Sequence, residues 1–405
     1  MNRVLSAVRR RSIPDLANSL LPICARPHLA EELRSELPRR ASLVQDWDAL
    51  LALAEEHGLG PLLFSHLTDA GVDIPADARR KLQAVYVRHQ RSNEVLFAVL
   101  ERLIGVFEGA KIDAVVLKGP ALVQLVYRDP GLRPIGDLDL LVDEGKAVHA
   151  QRLLGEAGFD IRMPDSDYRM SRTHHLHAAT AIVDGVSVTV EIHRDALSPD
   201  RDATLKLDGH RQSLMTLELG EGRTRARTLG HDDMLWHLCR HMVGLQHPFR
   251  LIWVADIVGY AEAFVEELDW DYLRSTHPFV LSTLSLLDWL TPLPASVRDR
   301  VGLATSVVPR PVGPMGKVGS VCEDYQGWPR STAFTWDSWR ERLEFLRESL
   351  APPDWWLRLN YGTGVGTGGY GRGVAKHSAA LAGLAGRRAV DFIPRRDRPP
   401  VEAAG

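Results

Sequence analysis

The chain has 405 residues, 45% of them apolar, with 49 Lys plus Arg against 52 Asp plus Glu and a net charge of −3. That length and apolar content can fill a sizeable core in two or three packed units, which excludes a disordered or fibrous chain. The near balance of charge excludes a general attraction to nucleic acid or anionic membrane, so neither is an expected partner.

Cys24, Cys239 and Cys322 are odd in number and far apart in sequence, which argues against a disulfide framework or a zinc site and fits a reducing cytoplasm. Residues 16–25 are partly apolar, but Asn18 and Pro22 interrupt a run already too short to span a bilayer.

In chain order, residues 1–40 lack strong periodicity and read as a variable lead-in. Residues 47–58 place Leu50, Leu51, Leu53 and Ala54 opposite Glu55 and Glu56, the pattern of an amphipathic helix closed by Gly58. Residues 61–70 repeat it. From Pro75 a long helix is expected, with Leu82, Val85, Tyr86, Leu96, Val99, Leu100 and Leu103 recurring at three and four, a face suited to bracing a following sheet.

Residues 115–142 organise the rest. An apolar run suited to a buried strand breaks at Lys118-Gly119-Pro120; two helical turns follow over residues 121–127. Asp129-Pro130-Gly131 and Arg133-Pro134 supply turn chemistry. The segment ends in Asp137-Leu138-Asp139-Leu140-Leu141-Val142, a strand on which Asp137 and Asp139 share one face and the leucines face the core. Two strand carboxylates so spaced stand about 6.5 to 7 Å apart at their roots. They repel by about 2 kcal/mol at an effective dielectric near 20. A divalent cation between them removes that penalty, and hard oxygen ligands suit magnesium. The pair alone also fits an edge strand with a solvated acidic face.

A helix is expected over residues 144–157, stopped by Gly158, and a strand from Phe159. Residues 171–177 carry His174, His175 and His177; they fit a loop lining a site or one with no role. Residues 178–183 and 186–193 flank Asp184-Gly185, a favoured hairpin turn. On the second strand Val186, Val188, Val190 and Ile192 face one way, and Ser187, Thr189, Glu191 and His193 the other. Glu191 and His193 also fit solvent-facing hairpin positions. Residues 195–230 read as polar and irregular, with a strand near 223–229.

From His231 the pattern is helical. His237 and His241 lie four apart, but His-Leu-Cys-Arg-His lacks the glutamate of a zinc protease, so helix packing with satisfied imidazoles is expected. The glycine-rich run 362–373 lacks a strand-turn-helix setting or a lysine-serine pair and reads as a flexible loop or linker. The tail, with Arg387, Arg388, Arg395, Arg396 and Arg398, is expected to be unstructured.

Leu-Lys-Gly, a short helix, Arg-Pro-x-Gly and Asp-x-Asp-x-Leu-Val together resemble the active-site core of the nucleotidyltransferase superfamily, the fold of DNA polymerase beta. The resemblance is strongest to a bacterial branch of uncharacterised nucleotidyltransferases and runs over roughly residues 45 to 290. It implies an α+β fold: a small mixed-sheet core at 111–230, flanked by helical regions at 1–110 and 231–350, with a Gly/Arg/Pro-rich tail at 351–405.

The implied activity is transfer of an NMP from an NTP donor to a small-molecule or protein/peptide acceptor. Asp137 and Asp139, with Glu191 as third carboxylate, would be the catalytic and metal-holding residues for two Mg2+ ions, or Mn2+. Lys118, Gly119 and Arg133 would meet the nucleotide; His193, His241, Arg250 and Asp256 would order the acceptor side. The superfamily usually has Gly-Ser or Gly-Gly where this chain has Gly119-Pro120, so a phosphate-contacting hydroxyl and one backbone donor are missing. That departure supports an alternative: a catalytically inactive nucleotide-binding or protein-interaction module.

Overall fold

In the computed structural model, the residues described are 20–161, 174–197, 204–208, 213–219, 224–243, 250–303 and 369–379. Those up to Leu303 belong to one compact unit, and 369–379 belong to a second. The architecture is mixed α/β, with a sheet of seven strands: β1 (Ala114–Val116), β2 (Leu138–Val142), β3 (Asp160–Ile161), β4 (Ala179–Val183), β5 (Val186–His193), β6 (Met215–Leu219) and β7 (Thr224–Thr228). Their order is β3-β4-β5-β2-β1-β7-β6.

Every residue of β1 and β2 is buried, as their continuous apolar runs require of central strands. β1 pairs antiparallel with β2 and parallel with β7, while β2 pairs parallel with β5. The hairpin β4–β5 turns at Asp184 and Gly185, at φ 49° and 79°, the left-handed pair that an Asp-Gly dipeptide supplies. β6 lies within the stretch read as irregular. Its Leu217 and Leu219 are buried and alternate with exposed Thr216 and Glu218, a short period-2 signal.

The helix Ala76–Gly109 packs its apolar stripe inward through Leu82, Leu96, Val99, Leu100, Leu103 and Phe107. Its bracing role is also polar. The Asn93 Nδ2 amide donates to the carbonyls of Pro130 (2.6 Å) and Arg133 (2.7 Å), and the Tyr86 hydroxyl donates to Asp129 Oδ2 at 2.8 Å. The turn leading to Asp137 is thus clamped from the helix side. Val85 and Tyr86 are only half-buried, so the core-facing stripe at this end is narrower than the spacing suggests.

The lead-in reading of residues 1–40 is corrected where they are described. Leu20, Leu21, Ile23 and Cys24 are buried, and Glu31–Ala41 is a helix. Arg26 is 1% exposed; it donates to Thr291 Oγ1 at 3.0 Å and to the Pro292 carbonyl, while its own carbonyl meets His66 Nε2 at 2.9 Å. The helix Leu20–Ile23 has four residues, too few to display a helical period. The glycine-rich run is also corrected at its end, because 369–379 is helical; residues 362–368 and the arginine tail lie outside the described residues. Among the described residues no helix is long and apolar enough to cross a membrane.

Leu21→Ala should therefore lower unfolding free energy by about 2–5 kcal/mol, the range for a buried leucine. Urea unfolding measures it; a change within about 0.5 kcal/mol would mark a surface segment.

Candidate active site

The register of β2 on β5 builds the site. The pairing sets Leu138 against Val190, Asp139 against Glu191 and Leu141 against His193. Neighbouring parallel strands lie about 4.8 Å apart. Asp139 and Glu191 are therefore brought side by side from positions 52 apart in sequence, and Asp137, just ahead of β2, adds a third carboxylate.

Asp139 is 1% exposed and both its oxygens are engaged. Lys118 Nζ lies 2.8 Å from Oδ2, and His193 Nε2, an imidazole N–H, donates to Oδ1 at 2.8 Å. Burial alone would raise this carboxyl, but Lys118 and His193 together hold it well below the usual carboxylate range. Asp137 goes the other way. The Asp139 charge, burial and Glu191 push it up to about 6 against the pull of Lys118. Glu191 is half-buried; burial works against its charge, but His193 and His175 draw it below its ordinary value.

His193 is 1% exposed, with its Nε2 also 3.6 Å from Glu191 Oε2. His175 Nδ1 lies 3.8 Å from the same oxygen. The rings of His174, His175 and His193 stand with centroids 4.5 to 5.4 Å apart. The described end of the histidine loop therefore lines the site. Burial and the neighbouring His175, His193 and Lys118 lower His174 to about 3, so its ring is neutral there.

Arg133 and Asp256 meet each other. Arg133 is buried, its Nε donating to Asp256 Oδ1 at 2.9 Å and its Nη2 to Oδ2 at 2.8 Å, while the Tyr127 hydroxyl donates to Oδ1 at 2.8 Å. The polar edges of the guanidinium and of the carboxylate are thus committed to each other. They form a buried pair that ties the helix Leu251–Ala263 to the turn before β2. Gly119 is explained by the same pair. A β-carbon there would stand 2.6 Å from Arg133 Nη1, an arm that Asp256 prevents from moving aside. Tyr127 and Asn93 were not foreseen: Tyr127 closes an apolar helical run that masks its hydroxyl, and Asn93 stands among the polar residues 88–94, where nothing marks it as buried.

His241 packs edge-on against Trp253 with centroids 5.2 Å apart, and 6.4 Å from the His237 ring. It is in electrostatic reach of Lys118 and Asp139, with burial holding it well below its ordinary value. His237 is 1% exposed, with the Ala196 main chain as the polar group beside its ring. Arg250, half-buried, donates to the Glu56 carbonyl at 3.1 Å.

The sequence pattern of uncharacterised nucleotidyltransferases matches residues 44–277, more than half of the chain. The chain belongs to this nucleotidyltransferase family. No curated protein sequence matches it. A crystal structure of an antigenic nucleotidyltransferase-like protein from Paracoccidioides brasiliensis is similar over 52% of this chain and 93% of that one, at 16% identity and a TM-score of 0.35. The solution structure of the antibiotic-resistance factor ANT(2'')-Ia is similar over 46% of this chain and 94% of that one, at 13% identity and a TM-score of 0.30. Both are too distant to bear on the chemistry of this chain, which family membership alone marks as a transferase.

Asp256→Ala would leave Arg133 buried and unpaired, and should cost about 3–5 kcal/mol in denaturant unfolding. Gly119→Ala should cost about 1–3 kcal/mol through overpacking against Arg133, and less in an Arg133→Ala background. An equal cost in both backgrounds would mean that the close approach to Arg133 is not what demands glycine.

Proposed function

We propose that the protein moves a nucleoside monophosphate from an NTP to a nucleophilic acceptor, with two divalent metal ions held by Asp137, Asp139 and Glu191. The observation that carries this reading is the side-by-side placing of Asp139 and Glu191 at the β2–β5 seam, with the Asp137 carboxyl raised by their charge. Three acidic groups beside Lys118 leave negative charge uncompensated, and hard oxygen donors in that arrangement suit Mg2+. Bound there, the ions would neutralise triphosphate charge and activate the acceptor oxygen for in-line displacement at phosphorus.

The chain's own groups have separable tasks. Asp137 and Asp139 hold the donor side, and Glu191, from the neighbouring strand, holds the acceptor side. Lys118, whose ammonium is already among the carboxylates, is a cation placed to meet the triphosphate. Arg133 and Asp256 keep the turn before β2 in place and touch no substrate. The acceptor is a small molecule or a protein or peptide. The reducing cytoplasm remains the compartment that suits the free, buried Cys24 and Cys239.

A second reading, a nucleotide-binding or interaction module without activity, is favoured by Pro120. It removes a backbone donor in the first turn of the helix Lys118–Leu122.

Calorimetry of ATP, GTP, CTP and UTP with and without Mg2+ separates the two. The transferase reading expects metal-dependent binding of at least one NTP, weakened at least about tenfold, or about 1.4 kcal/mol, in the double variant Asp137→Asn, Asp139→Asn. Metal-independent binding, unchanged in that variant, would favour a nucleotide-binding module; no binding under any condition would remove the transferase reading and leave the interaction module. Thermal unfolding of the same samples shows whether the variant is folded.

A further inference from the structure

We infer that the ion on the Glu191 side takes His193 as a nitrogen ligand, and that this position therefore selects a first-row transition-metal dication over magnesium. The inference rests on the nucleotidyltransferase reading and assigns one of its metal positions. Asp139, Glu191 and His193 each offer one atom to a group whose members all lie within 4.8 Å of one another. Within it, His193 Nε2 is 2.8 Å from Asp139 Oδ1 and 3.6 Å from Glu191 Oε2. Octahedral ligands about 2.1 Å from an ion stand about 3 Å apart when adjacent and just over 4 Å when opposite. The 2.8 and 3.6 Å spacings from His193 Nε2 fall close to or between those values, and the third pair lies within 4.8 Å.

The setting of the ring is what a metal-binding imidazole requires. Its Nε2 faces the two carboxylates, and its Nδ1 faces the Asp195 carbonyl at 3.4 Å, an acceptor for Nδ1–H when an ion displaces the Nε2 proton that now meets Asp139. The Asp195 side chain is fixed in turn, its Oδ1 accepting from the main-chain N–H of Leu197 (2.9 Å) and Leu205 (2.8 Å). Register explains why the histidine belongs to this group: along β5 it follows Glu191 by two residues and shares its face.

The donor set decides the metal. Magnesium prefers oxygen ligands and gives up water reluctantly, whereas imidazole suits transition metals. Mn2+ accepts both carboxylate and imidazole, so it is the probe of choice. The Asp137–Asp139 position, with oxygen donors alone, has no such bias. The two ions would then differ in kind: an oxygen-bound ion with the nucleotide and a mixed nitrogen–oxygen ion beside the acceptor.

The test uses the full chain without nucleotide, so a negative result leaves NTP binding untouched. Mn2+ bound to the wild type, observed by pulsed electron paramagnetic resonance, should show nitrogen-14 modulation from a directly bound imidazole. His175 and His193 each place a ring nitrogen within 4 Å of Glu191 Oε2. Modulation should persist in His175→Asn and vanish in His193→Asn. Competition should show Mn2+ favoured over Mg2+ by at least about tenfold in the wild type, with the preference lost in His193→Asn. Bound Mn2+ without nitrogen modulation, modulation that disappears in His175→Asn, or equal affinity for the two ions would overturn the inference. If His193→Asn does not fold, the wild type and His175→Asn still decide it.

Discussion

Asp139 is a buried carboxylate, and much of the surrounding structure exists to keep it charged. An isolated ion carried from water into the protein interior costs several kcal/mol even after relaxation, unless partners meet it in good geometry. Here the partners come from two directions. Lys118 approaches Oδ2 from the turn after β1, and His193 approaches Oδ1 from the end of β5. Asp137 lacks comparable partners and is held up by the charge beside it, which makes the pair asymmetric in a way that strand alternation does not reveal.

Behind that arrangement stands a second buried ion pair with a structural task. Arg133 and Asp256 join the turn before β2 to the helix Leu251–Ala263, and Tyr127 completes the carboxylate's shell. Asn93 and Tyr86 hold the same turn from the opposite side. The strand bearing Asp139 is thereby positioned by helices on both sides of it in sequence, which gives the flanking helical regions a role at the site without contact to its carboxylates.

How much of this was legible follows from the range of each interaction. Asp137, Asp139, the Asp184-Gly185 turn and the alternation leading to Glu191 and His193 are local patterns, and sequence spacing displays local patterns. The pairing of Asp139 with Glu191 is not local, since it depends on β2 choosing β5 as its parallel neighbour; the family resemblance, not spacing, anticipated it. Arg133 entered through the resemblance, as a cation suited to triphosphate charge. Its partner Asp256 lies 123 residues away, and no sequence period links them. The buried segment Leu20–Ile23 was missed for the opposite reason: four apolar residues carry too little periodicity to distinguish core from chance.

The backbone at Lys118 joins these strands of argument. It adopts φ 46°, a left-handed conformation that costs an ordinary side chain roughly 1–2 kcal/mol and is usually left to glycine. Just before it, the Leu117 N–H donates to the Asp139 carbonyl at 3.0 Å, extending the β1–β2 pairing by one step. Just after it, Gly119 and Pro120 are buried, the first of them under Arg133. The chain must therefore leave the sheet beside Asp139 and enter a helix within one residue. The left-handed turn is where that change of direction is made, and it leaves the Lys118 side chain reaching back to the carboxylate of the residue whose carbonyl holds Leu117. A glycine would relieve the strain and remove the ammonium. Strain retained at a residue whose charge is used fits a site shaped for chemistry more closely than one shaped for stability alone.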